Sequence, residues 1–194
     1  MSLAETKAAL RKEVYPKRKA AHAERAAKDG AANARLSAYF DKSKARIVAG
    51  YRPIRTEVDP TPTMTALALA GRRICVPVIE AAGKPLKFRE WRPGCEMVDG
   101  PFGAEVPASG DWLEPEALIV PLVGWDRKGW RLGYGGGFYD RSLEGLRAER
   151  PTRAVGFAYA AQEVPEAPRE PTDQQLDAMV TEAETLEFMG EFAR

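Results

Sequence analysis

The stretch Leu118–Ser142, LIVPLVGWDRKGWRLGYGGGFYDRS, constrains this chain more than any other. An apolar run of strand type passes into a polar loop, then into glycines at 133, 135, 136 and 137, then into a helical segment beginning near Tyr139. Glycines set this closely mark backbone that needs positive φ or that must approach another group closely. Backbone amides at the start of a helix form a cradle for an anion. Arg127, Lys128, Arg131 and Arg141 flank the cluster and are candidates for neutralising phosphate charge.

The known phosphate patterns do not fit. A dinucleotide fingerprint counted from Gly133 needs glycine where Phe138 stands, and the Walker Gly-Lys-Ser/Thr is absent. The rest of the protein-kinase signature is also missing. On residues alone the segment is a phosphate loop or a tight structural turn. Asp140 carries two readings as well. It is an acid placed against the helix dipole, or an oxygen ligand to magnesium, which takes one or two carboxylates beside substrate phosphates.

The rest of the chain alternates short apolar runs with helical segments. Ser2-Leu3-Ala4-Glu5 reads as a capping box opening a helix to about Lys28, which Pro16 should kink or split. A second helix is expected over 31–40 and another over 64–70. Strands are expected at 47–51, 73–79, 87–91, 118–123, 152–157 and 178–180. Residues 93–115 read as a long loop, functional or partly hairpin. This alternation argues for an α/β fold with a mainly parallel sheet, in one domain over 1–194.

Composition narrows the chemistry. The single histidine, His22, lies among Ala, Lys, Arg and Glu and is expected to be structural or exposed. Of the two cysteines, Cys75 sits in an apolar run and is expected in the core. A Ser-His-Asp triad and a His/Cys zinc site are therefore excluded as readings. Carboxylates, Lys/Arg, Tyr, backbone amides or an oxygen-liganded metal must carry any reaction. Residues 1–30 hold eight Lys/Arg against four Asp/Glu, and residues 161–194 hold nine Asp/Glu against two Arg. With a net charge of +1, these read as offsetting solvated faces rather than a nucleic-acid surface. No apolar stretch is long enough to cross a membrane, and the N-terminus lacks a signal-peptide pattern, so the cytoplasm is the expected compartment. A monomer is expected, although the sequence itself does not show oligomeric state.

Taken whole, Gly129–Asp140 (GWRLGYGGGFYD) resembles the signature of the 5-formyltetrahydrofolate cyclo-ligase (methenyltetrahydrofolate synthetase) family. Other pieces follow in the family's order. They are Lys7 and Arg11, Tyr51-Arg52-Pro53, Glu57-Val58-Asp59, Trp91-Arg92-Pro93-Gly94, Phe102-Gly103, and Asp173 ahead of Leu176-Asp177. The resemblance thus covers almost the full chain. It departs at Pro60, where the family usually has threonine.

The resemblance implies a three-layer α/β/α sandwich with a Rossmann-like, mainly parallel sheet. It also implies ATP-dependent conversion of 5-formyltetrahydrofolate to 5,10-methenyltetrahydrofolate, with release of ADP and phosphate. ATP contacts are implied for Lys7, Arg11 and the run Arg131, Leu132, Gly133, Tyr134, Gly135, Gly136, Gly137, Phe138 and Tyr139. Tyr134 and Gly136 occupy positions that are basic in some relatives, which leaves charge balance to Arg131 or other side chains. Arg131 and Tyr139 are the candidate catalytic residues. Glu57 is the implied folate-binding carboxylate. Tyr51, Trp91, Phe138 and Tyr139 are aromatic-wall candidates for the pterin, or else core residues. Magnesium ligation is implied for Asp140 and Asp173, with Asp177 one helical turn from the latter as the alternative. Small-molecule substrates, and neither nucleic acid nor membrane, are the expected partners. A second function class fits the same residues: a non-catalytic folate- or nucleotide-binding relative that regulates a partner.

Overall fold

A computed structural model describes residues 2–188, the side chain of Phe102 excepted. Helices α1 (Leu3–Ala23) and α2 (Arg25–Asp41) open the chain, followed by strand β1 (Ile47–Ala49), helix α3 (Thr61–Leu69), β2 (Arg73–Val78) and β3 (Lys87–Trp91). Short strands β4 (Met97–Asp99), β5 (Glu105–Pro107) and β6 (Trp112–Leu113) lead to β7 (Ala117–Val120). Then come β8 (Gly124–Trp125), β9 (Arg131–Leu132), α4 (Phe138–Glu149), β10 (Arg153–Phe157), β11 (Ala178–Val180) and β12 (Thr185–Glu187).

Eight strands form one sheet in the order β12-β11-β10-β7-β1-β2-β3-β6. The run β11-β10-β7-β1-β2 pairs in parallel, and β12, β3 and β6 pair antiparallel at the edges. Strand alternation sends successive side chains to opposite faces. Val48, Ile119, Val155 and Val180 meet Leu36, Phe40 and Leu67 of α2 and α3 on one face. Ala49, Leu118, Ala154 and Met179 meet Leu143 of α4 on the other. Helices on both faces of a mainly parallel sheet make the expected three-layer α/β/α arrangement. Cys75 is fully buried in the second of these clusters, as expected.

Several local expectations change. The Ser2/Glu5 capping box is present, but α1 runs through Pro16, and the break falls at Glu24. Pro16 lies on the exposed face, where the backbone carbonyl it leaves unpaired can meet water. Residues 93–115 contain the β4–β5 hairpin and β6, which pairs with β3. The polar loop after β7 forms a second hairpin, β8–β9. Asp126, 1% exposed, builds its turn by accepting the amides of Lys128, Trp130 and Ala167 at 2.9–3.0 Å. Pro60 stands at the N-cap of α3, a position that needs no amide donor.

Candidate functional site

The chain leaves β1 for β2 on one side of the sheet, while β7, β10 and β11 build outward on the other. Such a reversal opens a crevice beyond the carboxyl ends of the strands, the usual ligand site of open α/β sheets. A cavity of about 620 Å³ lies there. Tyr51 after β1, Pro77 near the end of β2 and Pro121 after β7 form its floor, with Ile79 and Leu86 adding apolar wall.

Helix α1 contributes Lys7 and Arg11, which share one face with the buried Val14, Arg18 and Ala21 through spacings of four and three. Arg11 Nε donates to the Gly133 carbonyl at 2.8 Å. The glycine cluster therefore lies against α1. Gly135 has φ +101° and Gly137, the N-cap of α4, has φ +64°, conformations that L side chains rarely adopt. A Cβ on Gly136 would stand 2.7 Å from the Phe138 ring. No side chain caps α4, so the glycine loop brings an uncapped helix N-terminus to the cavity.

The loop after β1 brings Glu57 into the cavity, 5% exposed. Its Oε2 accepts the Ile54 amide at 2.9 Å, and its Oε1 accepts the Tyr134 hydroxyl at 2.6 Å. Burial raises its pKa, and the Tyr134 hydrogen bond, the Ile54 amide and nearby Arg18 and Arg55 oppose the rise. Tyr51, 2% exposed, donates to the Val58 carbonyl at 2.6 Å and fixes the same loop. Burial, and the charge of Glu57 after it, holds the Tyr139 phenol protonated well above the usual range.

Asp140 and Asp173 both line the cavity. Asp140 accepts the Arg131 guanidinium and the Gln174 amide, the latter at 2.9 Å. Asp173 accepts Lys7 Nζ at 3.0 Å and the Glu170 amide at 2.8 Å. Asp177 instead holds Arg147 and the Ala154 amide, at 2.8 and 2.7 Å, and does not line the cavity. Of the two alternatives, Asp173 stands with Asp140. Among the described residues no group of three or more His, Cys, Asp or Glu side chains could hold a metal. Two carboxylates beside an uncapped helix N-terminus nevertheless match what magnesium takes when phosphate oxygens and waters complete its shell.

Other expectations fall outside the cavity. Trp91, 5% exposed, packs in the core and is absent from the lining. Its strand is covered on that face, so it offers no ring to a ligand. Arg127 is held by Glu163 and Glu184 at 2.8 and 2.7 Å, and Lys128 faces Glu166, so neither reaches the glycine loop. Arg141 folds back onto the Gly136 carbonyl and over the Phe138 ring. His22 is half-buried against Tyr159. Sequence reasoning missed Arg18, 1% exposed and bonded to Tyr134 and Thr56, although it lies seven residues past Arg11 on the same helix face.

Comparison with known proteins agrees with this geometry. The family model described as "5-formyltetrahydrofolate cyclo-ligase family" matches residues 3–182. The 5-formyltetrahydrofolate cyclo-ligase of Escherichia coli K12 is 35% identical over 161 residues, covering 79% of this chain and 87% of that protein. The cyclo-ligase of Mycolicibacterium smegmatis is 32% identical over 150 residues, covering 72% and 75%. Among solved structures, the Aquifex aeolicus 5,10-methenyltetrahydrofolate synthetase superposes with a TM-score of 0.76 at 28% identity, covering 97% of this chain and 95% of that one. The Mycoplasma pneumoniae synthetase gives 0.72 at 28% identity, covering 91% and 98%. With the family model spanning nearly the whole chain and the same α/β sandwich in its solved relatives, the protein belongs to the 5-formyltetrahydrofolate cyclo-ligase family of enzymes.

Proposed function

We propose that this chain uses ATP, with magnesium, to convert 5-formyltetrahydrofolate into 5,10-methenyltetrahydrofolate, ADP and phosphate. The observation that supports this reading is a single cavity lined by both the glycine loop with Lys7 and Arg11 and the buried carboxylate Glu57. The first set suits a nucleotide's phosphates. Glu57 suits the donor-rich edge of a pterin, and Tyr51 and Tyr139 supply aromatic surface beside it.

The chemistry needs no protein nucleophile. The formyl oxygen attacks the γ-phosphorus, the bond to the bridging oxygen breaks, and ADP leaves. The formyl carbon, now bearing a phosphate leaving group, is attacked by the neighbouring folate nitrogen. That nitrogen loses its proton, and phosphate departs as the five-membered ring closes. The residues' task is to hold the two substrates in line and to meet charge as it moves. Lys7 and Arg11 would hold phosphate oxygens. Asp140 and Asp173 would hold magnesium, which when bound supplies charge neutralisation at the transferring phosphoryl group. Arg131, bonded to Asp140, orients that carboxylate and adds positive charge close by. Tyr139 remains a neutral phenol, which makes it a packing and donor group rather than a base.

Release of ADP tests the reading. With magnesium-ATP the enzyme should release one ADP and one phosphate per 5-formyltetrahydrofolate consumed, and neither without the folate. ADP release that does not depend on folate would point to an ATPase. Folate binding without any ADP release would favour a non-catalytic relative.

A further inference from the structure

Glu57 is tied to helix α1 through the glycine loop. Arg18, seven residues past Arg11, is 1% exposed, a costly position for a guanidinium unless it is fully engaged. Its Nε donates to Thr56 Oγ1 at 2.9 Å, and its Nη1 donates to the Tyr134 hydroxyl. Its guanidinium carbon stands 5.4 Å from the Tyr15 ring centre and 5.6 Å from that of Tyr134. The Tyr134 hydroxyl donates in turn to Glu57 Oε1 at 2.6 Å. The direction of this chain is forced. Arginine only donates, so the hydroxyl must accept from Arg18 and direct its one proton at Glu57.

We infer that Arg18 and Tyr134 are positioning residues of the cyclo-ligase reaction, a hydroxyl-bridged relay that fixes the Glu57 carboxylate for the folate. The inference rests on the reading of Glu57 as the folate-binding carboxylate. Thr56 and the Ile54 amide belong to the loop that carries Glu57, so the relay closes a ring joining α1, that loop and the glycine loop. The groups facing Glu57 are Arg18 from α1, Tyr134 from the glycine loop, Tyr139 from α4, and Arg55 and Tyr51 from its own loop. Of these, Tyr134 is the side chain that donates directly to the carboxylate, and Arg18 acts through it. Because Tyr134 stands between Gly133 and Gly135, any shift of the glycine loop changes what Glu57 accepts. The relay thus couples the nucleotide side of the cavity to the folate side.

Tyr134→Phe is the cleanest test, since it removes one hydroxyl from a residue that is 37% exposed and keeps the ring that Arg18 lies over. The titration of Glu57 is followed by NMR on glutamate-labelled enzyme, with Glu57→Gln identifying the signal. Folate and ATP constants are measured over pH in parallel. In Tyr134→Phe, Glu57 should titrate at higher pH and the acid limb of kcat/KM for folate should move the same way. The folate KM at neutral pH should rise about tenfold, well beyond any change in the ATP KM. Arg18→Gln should act in the same direction, and Arg18→Lys, which keeps the charge, should recover part of the loss. Weakened folate binding in Glu57→Gln beside wild-type titration and folate KM in Tyr134→Phe would overturn the relay alone. Unchanged folate affinity in Glu57→Gln would overturn the assignment of Glu57 and the relay's role with it.

Discussion

Lys7 Nζ stands 3.0 Å from Asp173 Oδ2 and 3.3 Å from Glu170 Oε2, which ties the start of α1 to the segment ahead of β11. The lysine implied for ATP and the acid implied for magnesium are therefore paired with each other. A nucleotide with its metal would take over both charges together.

Lys7→Ala should accordingly raise the ATP KM about tenfold or more and the folate KM by much less. Steady-state kinetics with each substrate varied in turn checks this. Equal rises in both constants would argue for a general loss of structure at α1.

Asp140→Asn should abolish turnover and leave the fold standing. An asparagine oxygen can still accept the Gln174 amide but offers no charge to Arg131 or to a metal. Magnesium titrations of activity, with circular dichroism as the control, read the result. A variant that keeps wild-type rates at limiting magnesium would exclude Asp140 from metal binding.

Gly135→Ala places a Cβ on backbone at φ +101° and 3.4 Å from the Arg11 guanidinium. The glycine loop must rearrange, at a cost of roughly 1–2 kcal/mol. The expected result is a fall of about tenfold or more in kcat/KM for ATP with a small change in Tm. Thermal melts and ATP titrations on the same preparation separate the two effects.

Glu57 should cost the fold stability where it serves the site. Its pKa is raised in the folded enzyme by burial, so the native state binds more protons than the unfolded chain above the ordinary glutamate range. Its contribution to stability therefore falls as pH rises through that window. Glu57→Gln, while losing folate affinity, should be at least as stable as wild type at pH 8, with the advantage shrinking toward pH 4. Urea unfolding at the two pH values measures this. A variant that is weaker at pH 8 than at pH 4, relative to wild type, would contradict it.

Asp126→Ala removes the acceptor of the Lys128 and Trp130 amides in the β8–β9 turn and of the buried Ala167 amide that packs against it, and should cost about 2–4 kcal/mol, read from the urea midpoint. Because this hairpin delivers Arg131 and the glycine loop, ATP affinity should fall as well.

Much of this arrangement is legible in the chain itself. The apolar runs that become β1, β2, β7, β10 and β11 announce a buried parallel sheet, because strands covered on both faces need no polar alternation. The glycines at 135 and 137 announce positive φ, which the structure contains. What stayed hidden depends on partners distant in sequence. Arg18 reads as one more cation in a charged helix until the loop carrying Thr56 and the tyrosine of the glycine loop close over it. Trp91 reads as a ring for a ligand or as a core residue until the fold takes it into the buried apolar cluster. Arg127 and Lys128 read as phosphate contacts until the β8–β9 hairpin turns them toward Glu163, Glu184 and Glu166. Two-residue strands such as β8 and β9 carry too little periodicity to show at all. Asp173 and Asp177 differ only in which neighbours the fold supplies.

The most direct measurement follows the methenyl chromophore. Purified enzyme, magnesium-ATP and 5-formyltetrahydrofolate should give continuous growth of its absorbance, abolished by omitting ATP, by chelating magnesium, or by Asp140→Asn. No chromophore from folded wild-type protein that still binds both ATP and the folate would contradict the account.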